Sequence, residues 1–263
     1  MTAVTYQSTQ VLYDASATNW VRSEPISLSD FTARPVVLGM CEPIANLQVL
    51  DLGCGEGYCS RELMRRGAAS VYGIDLSAQM IAAAQVKEVA EPLGIRYEAA
   101  DATAFPQVAD ASVDVALAVF LFNYLTVAQM QQCMQEVMRV LKPGGRFIFS
   151  VPHPSFPYMR EAAYPFYFAV QGADAGAGAA TGYFSQRDQQ FPGKIWKRDG
   201  SDLDVQLVHK PLEDYFDALR LAGFQGMPIV RELRVLPEHV QLDPDFFQPL
   251  FDYPLHLAFQ VTR

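Results

Sequence analysis

Residues 49–60, VLDLGCGEGYCS, hold the densest chemistry in the chain: an apolar run leads to Asp51 and then to Gly53, Gly55 and Gly57. That pattern describes a buried strand ending in a loop without side chains before a helix, which is how cofactor loops are built. A dinucleotide fingerprint would carry its third glycine at 58, but Tyr58 stands there and the glycine comes one residue early. A carboxylate at 51 would also repel a pyrophosphate while attracting an ammonium group. Two more acids end apolar runs, Asp75 after residues 71–74 and Asp101 after residues 95–99. The distance along the chain from the glycines to Asp75 is that of a βα unit, and a carboxylate there can accept both hydroxyls of a ribose.

The elements that position these groups read as alternating strands and helices. Strands are expected at 71–74, 95–99, 113–119 and 146–151, and helices at 61–66, 77–90 and 127–141. Gly67 serves as a C-cap, Ser77 as an N-cap, and Lys142-Pro143-Gly144-Gly145 as the break before the fifth strand. The fourth strand runs into Phe120, Asn123 and Tyr124, at the carboxyl edge where open α/β sheets bind ligands. Aromatic faces there suit a cation, and Asn123 could orient an acceptor's heteroatom. His153, held between Pro152 and Pro154 after the fifth strand, is the first choice for an acid/base or orienting group, with Asn123 and Tyr13 beside it.

The order D-x-G-x-G-x-G, then Asp75, Asp101 and V-x-x-V-L-K-P-G-G-x-F at residues 137–147, resembles the class I S-adenosylmethionine-dependent methyltransferases over residues 49–151. The resemblance implies an α/β fold: a Rossmann-like, seven-stranded, mostly parallel sheet with helices on both faces. It implies S-adenosyl-L-methionine as cofactor, with Asp51, Gly53, Cys54 and Gly55 at the methionine end and Asp75 and Leu76 at the ribose. Met80, Asp101 and Ala102 would meet the adenine, and Phe120 would lie near the reacting sulfur. Residues 1–45 would form an N-terminal helical cap with Tyr6 and Tyr13 as lid candidates. Residues 46–151 would be the cofactor-binding core.

Beyond residue 151 the composition changes. Tyr158, Tyr164, Phe166, Tyr167 and Phe168 precede a small-residue tract at 172–182, and Tyr183, Phe184, Phe191 and Trp196 follow it. Residues 152–210 therefore read as an inserted acceptor lid with a mobile loop, and alternation about Asp199-Gly200 predicts a β-hairpin within it. His209 would end its second strand as an edge or core residue. Residues 211–263 supply a closing helix at 211–221, capped by Gly223, and strands at 227–236 and 255–261, the last antiparallel. Glu232 is a surface residue that could reach the site. Together these segments make a single domain.

Composition narrows the function. Of 263 residues half are hydrophobic, enough for one large domain, and 29 acids against 20 Lys and Arg give a net charge of -9. That charge argues against broad binding to nucleic acid or anionic membranes and favours a small-molecule acceptor. Cys41, Cys54, Cys59 and Cys133 form no pair or Cys/His set at zinc spacing, so free thiols without a metal are expected. With no membrane-length apolar run and no signal-like N-terminus, the expected setting is cytoplasmic. The oligomeric state is open. Two other readings stand beside methyl transfer: a non-catalytic adenosylmethionine-binding or partner-regulating module, and an NAD-dependent oxidoreductase.

Overall fold

The computed structural model describes residues 8–20, 25–170 and 182–263. Tyr6 and residues 172–181 of the small-residue tract lie outside the described residues.

Apolar strands buried on both sides demand helices on both sides, and the chain alternates accordingly. Helices α1 (Thr9–Trp20), α2 (Leu28–Thr32) and α3 (Arg34–Met40) lead to β1 (Gln48–Leu52), α4 (Tyr58–Arg65), β2 (Ser70–Asp75), α5 (Ala78–Ala90) and β3 (Arg96–Ala99). The pattern continues with β4 (Val113–Val119), α6 (Val127–Val140) and β5 (Leu141–Pro152). A separate lid sheet follows, made of β6 (Phe166–Phe168), β7 (Gln190–Trp196) and β8 (Asp202–Val208). The chain closes through α7 (Leu212–Ala222), β9 (Ile229–Leu233), α8 (Pro237–Leu242), α9 (Pro244–Phe247) and β10 (His256–Thr262).

The main sheet runs β3-β2-β1-β4-β5-β10-β9, parallel except for β10, which is antiparallel to both neighbours. The strand order reverses between β1 and β4, so a crevice opens beyond their carboxyl ends. Alternate residues face opposite layers. Leu50, Ala116, Phe147 and Phe149 pack under α6 and α7, whereas Val49, Val71, Val115 and Ile148 pack under α3, α4 and α5. Fully burying one such aliphatic or aromatic side chain is worth roughly 1.5–3 kcal/mol, so a one-residue slip of any central strand would be costly.

Three features depart from the sequence expectations. Pairing of β5 with β4 begins at Leu141, opposite Val113, and resumes at Arg146 opposite Val115, so the predicted turn is a bulge inside one long strand. Gly144, at φ 80°, turns that bulge. The lid carries a third strand, β6, paired with β7 beside the expected hairpin. Beyond the short β9, residues 237–250 fold into α8, α9 and a 3₁₀ turn whose Phe247 and Leu250 join the lid core with Phe156, Phe166, Phe191 and Leu207. The signals for them are Pro237 and Pro244 at first helical positions, with Glu238 and Asp245 in the first turns.

Candidate functional site

Gly53, Gly55 and Gly57 all adopt positive φ, at 66°, 56° and 83°, so the loop after β1 folds back over the sheet edge as glycine alone does without strain. Asp75 anchors it: one carboxylate oxygen accepts from Gly55 N at 2.9 Å and the other from Ser77 N at 2.9 Å. Lone pairs remain for a ligand, since a carboxylate accepts about four hydrogen bonds. Asp51 is 1% exposed and accepts from Ser60 Oγ at 2.6 Å; burial pushes its carboxyl up to about 7. Asp101 is exposed and holds Thr103 through its backbone N and Oγ1, both at 2.8 Å.

A cavity of about 540 Å³ joins these strand ends to the cap and the lid, within the range of small-ligand sites. Asp51, Gly53, Cys54 and Gly55 line one part of it; Asp75, Leu76, Met80, Asp101 and Ala102 line the next. Tyr13, Phe120 and Asn123 line the end that faces the lid. Phe120 has φ 56°, a strained value for a bulky residue, and its N donates to Ser150 O at 2.9 Å. Asn123 is 5% exposed, and its Oδ1 has no hydrogen-bond partner among the described residues.

The cap is fastened at three places along α1. Thr9 Oγ1 accepts from Gln206 Nε2 of the lid at 2.7 Å, Asp14 Oδ1 accepts from Ser77 Oγ at 2.5 Å, and the Tyr13 and Tyr124 hydroxyls hydrogen-bond each other. Burial raises both tyrosine pKa values, so these hydroxyls keep their protons and act as hydrogen-bonding groups.

His153 is not among the residues that line the cavity: its Nδ1 lies 2.7 Å from Ser155 Oγ, and its Nε2 lies 4.0 Å from the exposed carboxylate of Glu232. Glu232 likewise stays at the surface, its side chain 72% exposed. The register of β10 on β5, which sets His256 opposite Pro152, brings His256 to the cavity instead. His209 is buried, with Nε2 at 2.7 Å from Tyr183 O, which is a structural role.

Three residues were not foreseen from the sequence. Arg34 at the start of α3 lines the cavity; its Nη1 donates at 2.6 Å to Asp30 Oδ1 and at 2.6 Å to Ser29 Oγ. No linear signal marks it, since its position follows from how the cap docks. His256 is the second. Lys210, buried at the lid's root, is the third: Nζ donates to Phe122 O at 2.9 Å and Val208 O at 3.1 Å, tying the turn that carries Asn123 to the end of β8. Its desolvation lowers the ammonium pKa to about 7. Among the described residues no group of His, Cys, Asp and Glu is arranged to hold a metal, the four cysteines are buried, and no helix is long and apolar enough to cross a membrane.

Residues 49–145 match the family model described as a methyltransferase domain. A ubiquinone biosynthesis O-methyltransferase of Pseudomonas fluorescens is 30% identical over 107 residues, covering 41% of this chain and 45% of that protein. A malonyl-acyl-carrier-protein O-methyltransferase of Enterobacter lignolyticus is 35% identical over 116 residues, covering 44% of this chain and 43% of that protein. The chain spans about half the length of the curated relatives it matches. The crystal structure of an S-adenosylmethionine-dependent methyltransferase from Mesorhizobium loti superposes with a TM-score of 0.62 at 23% identity, over 87% of this chain and 96% of that one, a likeness of fold.

Proposed function

We propose that this chain, whose residues 49–145 match a methyltransferase domain, transfers a methyl group from S-adenosyl-L-methionine to a small-molecule acceptor. The observation that carries this reading is a single cavity shared by three carboxylates at the ends of β1, β2 and β3 and by an aromatic end under the lid.

The cofactor fits the residues present. Asp51 is a buried carboxyl held up near pH 7 by desolvation, and a ligand ammonium beside it would relieve that cost. Arg34, whose positive charge acts on Asp51, would take the cofactor's carboxylate, so the two residues bracket an amino-acid end. Asp75 would hold the ribose, and Asp101, Ala102 and Met80 the adenine. Bound there, the cofactor supplies an electrophilic methyl group on a positively charged sulfur.

The chain's own contribution is orientation and exclusion of water. Cap and lid cover the cavity through α1, Asn123 and the Tyr13–Tyr124 pair supply fixed polar groups, and Lys210 steadies the turn that carries Asn123 and Tyr124. Positioning of this kind can lower a barrier by about 7–11 kcal/mol. The in-line transfer disperses charge, so a base is needed only where the acceptor group is protonated at working pH, as an alcohol or phenol is.

Calorimetry with S-adenosylhomocysteine and NAD, followed by transfer of label from a radiolabelled methyl donor to a metabolite pool, tests this reading. Binding of S-adenosylhomocysteine alone, with labelled product, is expected. Preference for NAD would refute it, and tight binding without any labelled product would leave the non-catalytic module as the better account.

Arg34→Met supplies a sharper check. Its affinity for S-adenosylhomocysteine should drop roughly tenfold, the loss of one charge-assisted hydrogen bond, while affinity for methylthioadenosine, which has no carboxylate, stays unchanged. An equal loss for both ligands would show that Arg34 acts only through the cap.

A further inference from the structure

Folded proteins pair nearly all of their buried polar atoms, because each one left bare loses its hydration without replacement. Here four such atoms belong to residues that line one cavity. Trp20 Nε1, Asn123 Oδ1 and both ring nitrogens of His256 are buried without a hydrogen-bond partner among the described residues, and all three residues line the same cavity. We infer that the methyl acceptor is a neutral, largely apolar molecule bearing a hydroxyl group, and that His256, with Asn123 and Trp20, recognises it. This rests on the methyl-transfer reading above.

Among the described residues the charge inventory of the cavity disfavours an ionic acceptor. Arg34, the one Lys or Arg among its described lining residues, is held by Asp30 and Ser29 and is assigned above to the cofactor's carboxylate, which leaves it no charge for the acceptor. The lining acids are the three at the strand ends and Glu56, which is ion-paired with Arg61 at 3.0 Å and Lys87 at 2.5 Å. A carboxylate or ammonium on the acceptor would therefore be buried without a counter-charge, at a cost of several kcal/mol.

The bare atoms favour a hydroxyl. Burial, with Arg34 and His153 adding like charge, pushes the His256 pKa down to about 3, so the ring is neutral and offers one N–H and one lone pair. Trp20 adds a donor and Asn123 an acceptor. A hydroxyl group both donates and accepts, and so matches each of these partners. Around the imidazole the wall is aromatic: Phe120 meets it edge-on at 4.9 Å between centroids, Phe156 lies at 5.5 Å, and Phe166 stacks on Phe156 at 3.9 Å. A flat apolar body suits that wall.

The test uses the full chain saturated with S-adenosylhomocysteine and three probes that share a tolyl body: 4-methylphenol, 4-methylbenzoate and 4-methylbenzylammonium. Calorimetry is expected to show the phenol binding about tenfold more tightly than either ion, a margin of one to two hydrogen bonds. His256→Phe should erase that margin, and His256→Asn, which keeps a donor and an acceptor, should restore part of it, both with unchanged affinity for S-adenosylhomocysteine. The inference is overturned if an ionic probe binds as tightly as the phenol, if the phenol does not bind, or if His256→Phe binds it as wild type does. The wild-type comparison decides the matter even if His256→Phe does not fold. Failure of the wild type to bind S-adenosylhomocysteine is a separate result that removes the methyltransferase reading itself.

Discussion

Asp51→Asn should lose roughly 10- to 100-fold in affinity for S-adenosylhomocysteine, yet melt at a higher temperature than the wild type when both are cofactor-free at pH 8. The first effect follows from deleting the carboxylate assigned to the cofactor's ammonium, since hydrogen bonds to charged groups contribute about 1.5–3 kcal/mol. The second follows from burial. In the folded protein the carboxyl of Asp51 is raised from its ordinary 3.8 to about 7, while the unfolded chain keeps the ordinary value. Between those two pH values the folded state binds more protons than the unfolded state, so the stability that Asp51 contributes is full below about pH 4 and is lost as pH rises through 7. Asparagine does not titrate. The difference in melting temperature should therefore be near zero at pH 4 and greatest at pH 8, and adding S-adenosylhomocysteine should reverse it in favour of the wild type. Scanning fluorimetry at both pH values, with and without ligand, reads all of this. An Asp51→Asn variant that binds the ligand like wild type would end the assignment of Asp51.

Gly57→Ala should instead damage the fold. At φ 83° an alanine costs about 1–2 kcal/mol in backbone strain, and its Cβ would lie 2.7 Å from Tyr97 Cζ. Tyr97 has little room to retreat, because the same ring crowds Gly73, where an added Cβ would stand 2.8 Å from Tyr97 Cδ1. Strain and overpacking together come to about 2–5 kcal/mol, a fall in melting temperature on the order of 5–15 °C for a chain of this size. Gly55→Ala is the control. It shares the positive φ, at 56°, but its Cβ meets nothing within 4 Å, so its melting temperature should fall much less while ligand binding suffers, because Gly55 lines the cavity. Equal melting temperatures for the two variants would show that the contact with Tyr97 is not what demands glycine at 57.

Much of the core was legible because its signals are local. The apolar run before Asp51, the glycines and the cap at Ser77 act within a few residues of themselves, and β1, β2, α5 and β4 formed within a residue or two of where they were expected. The Asp199-Gly200 turn marked the lid hairpin for the same reason. The strand β6 and the helices at 237–250 were missed because what stabilises them is distant. Phe166 and Phe168 are buried against Phe156 and Phe191, and Phe247 and Leu250 against the same lid core, so their strand or helix state depends on partners far along the chain.

The same division runs through the site. The three carboxylates proposed for the cofactor, Asp51, Asp75 and Asp101, sit at or just beyond the ends of strands whose patterns are local, so their convergence at one sheet edge could be read from their linear order. The acceptor end could not. Whether His153 or His256 reaches the cavity depends on antiparallel pairing between β5 and β10, which lie far apart in the chain, and a pleated strand turns each neighbouring side chain to the opposite face. Arg34 reaches the cavity through the docking of the cap, and the turn bearing Asn123 is held by Lys210, which lies 88 residues beyond the Phe122 carbonyl it binds. Local patterns specify which backbone a segment prefers; which side chains converge on a cavity is decided by long-range packing.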